Sequence, residues 1–140
     1  MQLQLAYRYF TSGKLPASAT QFKALLHSLL FTIVSKKADA DEANQLIQIC
    51  REYSMGLAIE QQRRSVTASN PNNTKRALEL AAYFTHCQLQ TPHLQLALRQ
   101  AAKQAFKLKN FNTASQFCTR LLELAPPKKI ADEVLYMFNI

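Results

Sequence analysis

The stretch LKNFNTASQFCTRLLELAPP, Leu108 to Pro127, decides how this chain is read. From about Asn112 to Leu124 it has helical spacing, and Ala114 and Phe117 lie three apart on one face. A small residue at that position lets a second helix approach closely. Phe111 and Phe117 are expected to fill the space between the two helices. Pro126-Pro127 then stops the helix, because proline lacks the N–H that the next turn needs. The same pair can open a seventh, weaker helix through about Phe138. A segment built this way requires a partner helix, so the first expectation is a helical hairpin.

Working outward, the helical period holds over nearly the whole chain. The fifth helix is expected over about Pro92 to Leu108, with Leu94, Leu98, Ala101, Ala105 and Leu108 inward. Thr91 is its expected N-cap, and Pro92 suits the first helical position. The fourth covers about Lys75 to Leu89, with Ala77, Leu80, Ala81, Phe84 and Cys87 inward. Ser65 to Thr74, SVTASNPNNT, reads as a loop because it is polar, aperiodic and carries Asn-Pro. The third helix is expected from about Asp41 to Arg64, through Ala43, Leu46, Ile47, Cys50, Tyr53, Ser54 and Leu57. Asp39, Asp41 and Glu42 place negative charge at its positive end. Before a break at Lys36 to Ala40, a second helix begins at about Pro16 and reaches about Val34. Its stripe is Ala19, Phe22, Leu25, Leu26, Leu29 and Ile33. The first, about Gln2 to Ser12, is expected to turn Leu5, Tyr9 and Phe10 inward and to end at Gly13.

Composition agrees with this reading. A chain of 140 residues with 48% apolar types can bury a core and fits one domain, residues 1–140. Only 2 glycines and 5 prolines are too few for the many turns of a sandwich or barrel. The fold class is therefore all-α, an array of about six or seven helices in antiparallel hairpins. Lys and Arg number 17 against 9 Asp and Glu, a net charge of +8 that suits nucleic acid, an anionic membrane or an acidic protein. The greasiest run, Leu25 to Val34, is shorter than the ~20 residues a bilayer span needs. No signal-peptide pattern opens the chain, and a cytosolic protein is expected.

Little of this sequence suggests catalysis. Cys50, Cys87 and Cys118 form no CxxC pair and read as reduced core residues. His27, His86 and His93 match no metal spacing and are expected to face solvent or cap helices. The acidic group Asp39, Asp41 and Glu42 lacks the calcium loop that would follow it. No glycine-rich phosphate loop, nucleophile elbow or acid–base pair can be assembled. The expectation is a protein that is not an enzyme and needs no cofactor or metal. Arg99, Lys103 and Lys107 carry the most information. They recur every four residues on one helix face, and the flanking Gln95 and Phe111 are uncharged. Lys109 and Arg120 are expected to extend this patch. Such a stripe reads as a hydrated face, as a docking surface for an acidic partner, or as a nucleic-acid surface without aromatic interleaving.

Two resemblances sharpen the reading. Leu108 to Pro126 resembles the second half of a tetratricopeptide repeat, with Phe111, Ala114, Phe117 and the closing Pro126 in place. Lys109 stands where that repeat places glycine, which implies a turn that departs from the consensus. A weaker echo lies at Gly13 to Leu26. The longer string AAYFTHCQLQTPHLQLALRQAAKQAFKLKNFNTASQFCTRLLEL, Ala81 to Leu124, resembles the C-terminal domain of the alpha subunit of coatomer. IQICREYSMGLAIEQQRR (Ile47 to Arg64) and FTSGKLPASATQF (Phe10 to Phe22) have counterparts in that family, in the same order. The resemblance covers about Leu5 to Pro126; Ala131 to Ile140 matches weakly.

The resemblance implies a scaffold domain, part of a longer coat protein, in Golgi-to-endoplasmic-reticulum and intra-Golgi vesicle transport. It implies the epsilon subunit, itself tetratricopeptide-like, as partner, with the remaining coatomer subunits reached through the rest of the parent chain. Membrane association would be indirect, on the cytosolic side of Golgi membranes and coated vesicles, and no nucleic acid is expected. Dilysine-signal reading belongs to propeller domains of that family, which have no counterpart here. The family's domain continues into a cysteine-containing β-rich end, which residues 1–140 do not include. The alternatives from other classes are a basic helical repeat that binds nucleic acid and a general adaptor module. Arg99, Lys103 and Lys107 remain the expected partner-docking residues.

Overall fold

A computed structural model of the chain describes residues 2–31 and 35–138. Among these residues there are seven helices and no strand, as the periodicity requires. They are α1 (Gln2–Thr11), α2 (Leu15–Leu30), α3 (Lys37–Ser69), α4 (Thr74–Phe84), α5 (Thr91–Lys107), α6 (Phe111–Glu123) and α7 (Lys128–Phe138). Ile33 and Val34, expected to end the second helix, lie outside the described residues. The chain divides into two compact units, residues 1–61 with 87–89, and residues 62–86 with 90–140.

In the first unit, α1 packs on α2. The contact is made by small groups: Ser18 Oγ donates a buried 2.9 Å hydrogen bond to the Ala6 carbonyl oxygen. Ala6 and Phe10 are therefore the buried side of α1, while Leu5, expected inward, is exposed. Tyr53 of α3 completes the core by stacking on Phe22 with ring centroids 4.6 Å apart. Phe10 meets Tyr53 edge-on at 5.5 Å, and Tyr7 meets it at 5.2 Å.

Helix α3 is longer at both ends than the sequence suggests. Ser65 to Ser69 stays helical because nothing in SVTAS breaks a helix, although its propensity is poor. Thr67 Oγ1 satisfies itself on the Arg63 carbonyl oxygen at 2.9 Å. The true stop is Asn70-Pro71, since proline disfavours helical backbone at the residue before it. Asn70 then closes the turn by accepting a hydrogen bond from the Asn72 amide.

In the second unit α4 packs on α5, α5 on α6, and α7 on both α5 and α6. The seam is rich in alanine: Ala81, Ala101, Ala102, Ala105 and Ala114 are buried with Leu98, Phe117, Cys118, Leu121 and Val134. Phe111, expected in this seam, is exposed, with its ring edge-to-face on Phe106 at 5.4 Å. Helix α4 ends at Phe84, five residues before the expected Leu89. The cause is tertiary. Arg120 of α6 donates to the Thr85 carbonyl oxygen at 2.8 Å and to its hydroxyl at 3.0 Å. That carbonyl would have to accept from Leu89 in a continued helix. Leu89 bonds Cys87 instead. Thr91, expected as N-cap of α5, is its first helical residue, and Gln90 precedes it without a side-chain cap.

Three helix ends share one backbone device. Gly13, Lys109 and Ala125 have φ of 81°, 60° and 50°. After α1 the amides of Gly13 and Lys14 bond the Phe10 and Tyr9 carbonyl oxygens. After α5 the amides of Lys109 and Asn110 bond those of Phe106 and Ala105. Both are complete Schellman turns. Lys109 thus adopts a left-handed conformation that glycine reaches without cost, and the turn is kept at the expense of strain. After α6 the second bond cannot form, because Pro126 has no N–H. The Leu124 carbonyl oxygen at this helix end accepts a hydrogen bond from Gln95 Nε2 of α5 at 3.0 Å.

Candidate functional site

Helix α5 has two chemically distinct sides. Ala97, Leu98, Ala101, Ala102 and Ala105 are buried. Small side chains there draw α4 and α6 close, which fixes α5 rigidly and presents its other side. That side carries Leu96, Arg99, Gln100, Lys103, Gln104 and Lys107 at helical spacing. With Arg63 and Thr67 from the end of α3, Thr74 and Leu108, they line a groove of about 610 Å3. The expected stripe is thus brought together on one wall, and all of the lining residues belong to the second unit.

The electrostatics are not those of three equivalent cations. Arg99 grips Glu133 of α7 with two hydrogen bonds, Nε to Oε2 and Nη2 to Oε1, both 2.8 Å. Lys103 Nζ lies 3.3 Å from the same Oε2. Hydrogen bonding from Arg99, and then from Lys103, holds the Glu133 carboxyl below its usual range, although burial pulls it the other way. Lys107 is exposed and, among the described residues, meets no carboxylate. The stripe has no acidic residue within α5, and tertiary structure supplies one from 34 positions away. Arg63 and Glu133 carried no signal in the sequence, since neither shares a helix with the stripe.

The expected extensions fall elsewhere. Arg120 caps α4 and is not part of the groove. Lys109 is exposed in the α5–α6 turn and does not line it either. Among the histidines, His27 and His86 are exposed, but His93 is buried, and burial lowers its pKa. Cys50, Cys87 and Cys118 are reduced and buried, and burial, helped by the Glu52 charge, raises the Cys87 thiol to about 11. Among the described residues no group of three His, Cys, Asp or Glu could hold a metal ion, and no helix is long and apolar enough to cross a membrane.

The family described as the C-terminus of the coatomer (COPI) alpha subunit matches residues 1–140. The chain belongs to this coatomer alpha family. It is 42% identical to coatomer subunit alpha of Dictyostelium discoideum over 136 residues, 96% of this chain and 11% of the relative. It is 42% identical over 125 residues to coatomer subunit alpha-1 of Arabidopsis thaliana, covering 89% of this chain and 10% of that protein. The Saccharomyces cerevisiae coatomer subunit alpha is 36% identical over 118 residues, 84% of this chain and 10% of the relative. The chain spans about a tenth of the length of these curated coatomer relatives. The family match extends past Pro126 and takes in α7, the helix that supplies Glu133.

Proposed function

We propose that this chain is a non-catalytic scaffold domain of the coatomer vesicle coat and that it holds the epsilon subunit. Residues 1–140 act as one helical scaffold within a much longer protein, whose other parts reach the remaining coatomer subunits. The coat serves vesicle transport from the Golgi to the endoplasmic reticulum and between Golgi cisternae. The domain works in the cytoplasm and reaches the Golgi membrane only through the coat. What supports this reading is the family match over the full 140 residues, with relatives that are coatomer alpha subunits. The binding surface is helical, with apolar anchors, and Arg99, Lys103 and Lys107 steer the approach of an acidic surface.

The test is co-elution of the purified chain with the epsilon subunit on size-exclusion chromatography. A stable complex supports the scaffold reading. Separate elution, under conditions where a full-length alpha subunit retains epsilon, overturns epsilon binding by this domain.

A further inference from the structure

We propose that the α5 groove seats an acidic amphipathic helix of a protein partner, with carboxylates four residues apart and apolar side chains flanking them. The inference rests on the scaffold reading for its biological setting, but its chemistry comes from the groove. Arg63, Arg99, Lys103 and Lys107 line it, and among the described residues no lining residue is acidic. The chain's own structure displays the recognition chemistry. Glu133 sits on Arg99 and Lys103 and fills the first step of a ladder of cations. The second step, Lys103 to Lys107, receives no carboxylate from the described residues. The three cations of the stripe meet one carboxylate of the chain's own among the described residues, so two from outside, a helical turn apart and beginning at this second step, match the charge left over.

Spacing and backbone chemistry select a helix. Successive cations of the stripe are ~6 Å apart along α5, the same rise as four residues of a partner helix, so carboxylates at i and i+4 stay in register. An extended peptide would present a row of N–H groups to a wall whose cations only donate and whose acceptors are the Gln100 and Gln104 amides and the Thr67 and Thr74 hydroxyls, whereas a helix satisfies its own. Leu96, 39% exposed, and Leu108 lie at the two ends of the stripe and supply apolar contacts ~18 Å apart. Among the described residues no aromatic lines the groove, so they offer no platform for stacking a nucleic-acid base.

The probe is a fluorescein-labelled helical peptide of about four turns, with Glu at i and i+4 and Leu on the same face. Its anisotropy is titrated with the 140-residue chain at low and high salt. Binding is expected, and Lys107→Glu should weaken it roughly tenfold at low salt and much less at high salt. The peptide with Gln in place of Glu should lose affinity similarly. Reversing Lys128 and Lys129, exposed lysines at the start of α7, should leave binding unchanged. Lys107 makes no ion pair with the described residues, so its variant should keep the parent's circular dichroism and melting. Equal binding of the Gln peptide, or equal weakening by the Lys128/Lys129 reversal, overturns the proposal. A labelled oligothymidine that binds more tightly than the peptide, and whose binding Lys107→Glu weakens, also overturns it. Peptide binding lost while epsilon still co-elutes sinks the groove and spares the scaffold reading; the converse sinks epsilon binding and spares the groove.

Discussion

At Lys109 the side chain is irrelevant to the turn it makes, and the backbone carries the cost. A β-carbon in the left-handed region costs ~1–2 kcal/mol, whereas glycine reaches it freely but loses more entropy on folding. Lys109→Gly should therefore stabilise the chain by about 0.5–1 kcal/mol in urea unfolding. Gly13→Ala should do the opposite by a similar amount. An added β-carbon there meets nothing within 4 Å, so the whole effect is conformational. A drop in stability for Lys109→Gly would mean that the lysine side chain contributes more than the strain it imposes. Packing at single residues is equally testable. Phe117 is 5% exposed in the alanine-rich seam, so Phe117→Ala should cost roughly 3–5 kcal/mol. Ala114→Phe should also destabilise, by overpacking the α5–α6 contact. Parent-like melting of both variants would contradict this core.

Helix α7 is held by two kinds of contact. Val134 is fully buried, and Glu133 is clamped by Arg99 and Lys103. The carboxyl is lowered in the folded state, so the clamp is fully present above the ordinary carboxylate range. It is lost as pH falls through the lowered folded value. Glu133→Gln keeps the shape and removes the charge. Amides of α7 should then exchange faster at neutral pH, and the acid dependence of their exchange should flatten. Unchanged exchange would show that Val134 and its neighbours hold α7 without the clamp. The same geometry separates the three stripe residues. Charge reversal at Arg99 or Lys103 disturbs α7, so only Lys107 tests partner docking without disturbing the fold.

Across the molecule, three thiols sample both compact units. Cys50 and Cys87 lie in the first and Cys118 in the second. All three are buried, and burial pushes each thiol above its ordinary pKa, with Cys87 at about 11. Reactivity needs an accessible thiolate, so a thiol reagent at pH 7 should label the native chain only through opening fluctuations. All three should react promptly in denaturant. Rapid labelling of Cys118 in the native chain would mean that the seam around Phe117 is looser than its burial indicates.

Most of the architecture was legible because it depends on periods and local chemistry. Apolar spacing placed the first six helices and Pro126-Pro127 marked the start of a seventh, and Ala77, Leu80, Ala81, Phe84, Leu98, Ala101, Ala105, Ala114 and Phe117 are buried where the pattern put them. Gly13 announced its turn, and the order of three segments carried the family. The stripe of Arg99, Lys103 and Lys107 was visible because four-residue spacing is a property of one helix. Interactions between distant segments were not visible. Burial of Ala6 rather than Leu5 depends on a hydroxyl twelve positions away in α2. The end of α4 depends on Arg120, and the pairing of Arg99 and Lys103 on Glu133. Lys109 and Ala125 hold left-handed turns that their residue types disfavour, because packing of the flanking helices outweighs about a kilocalorie of local preference. Local propensity acts within a turn or two of helix. Which carboxylate meets which cation, and which apolar face is covered, are settled only when helices far apart in sequence pack together.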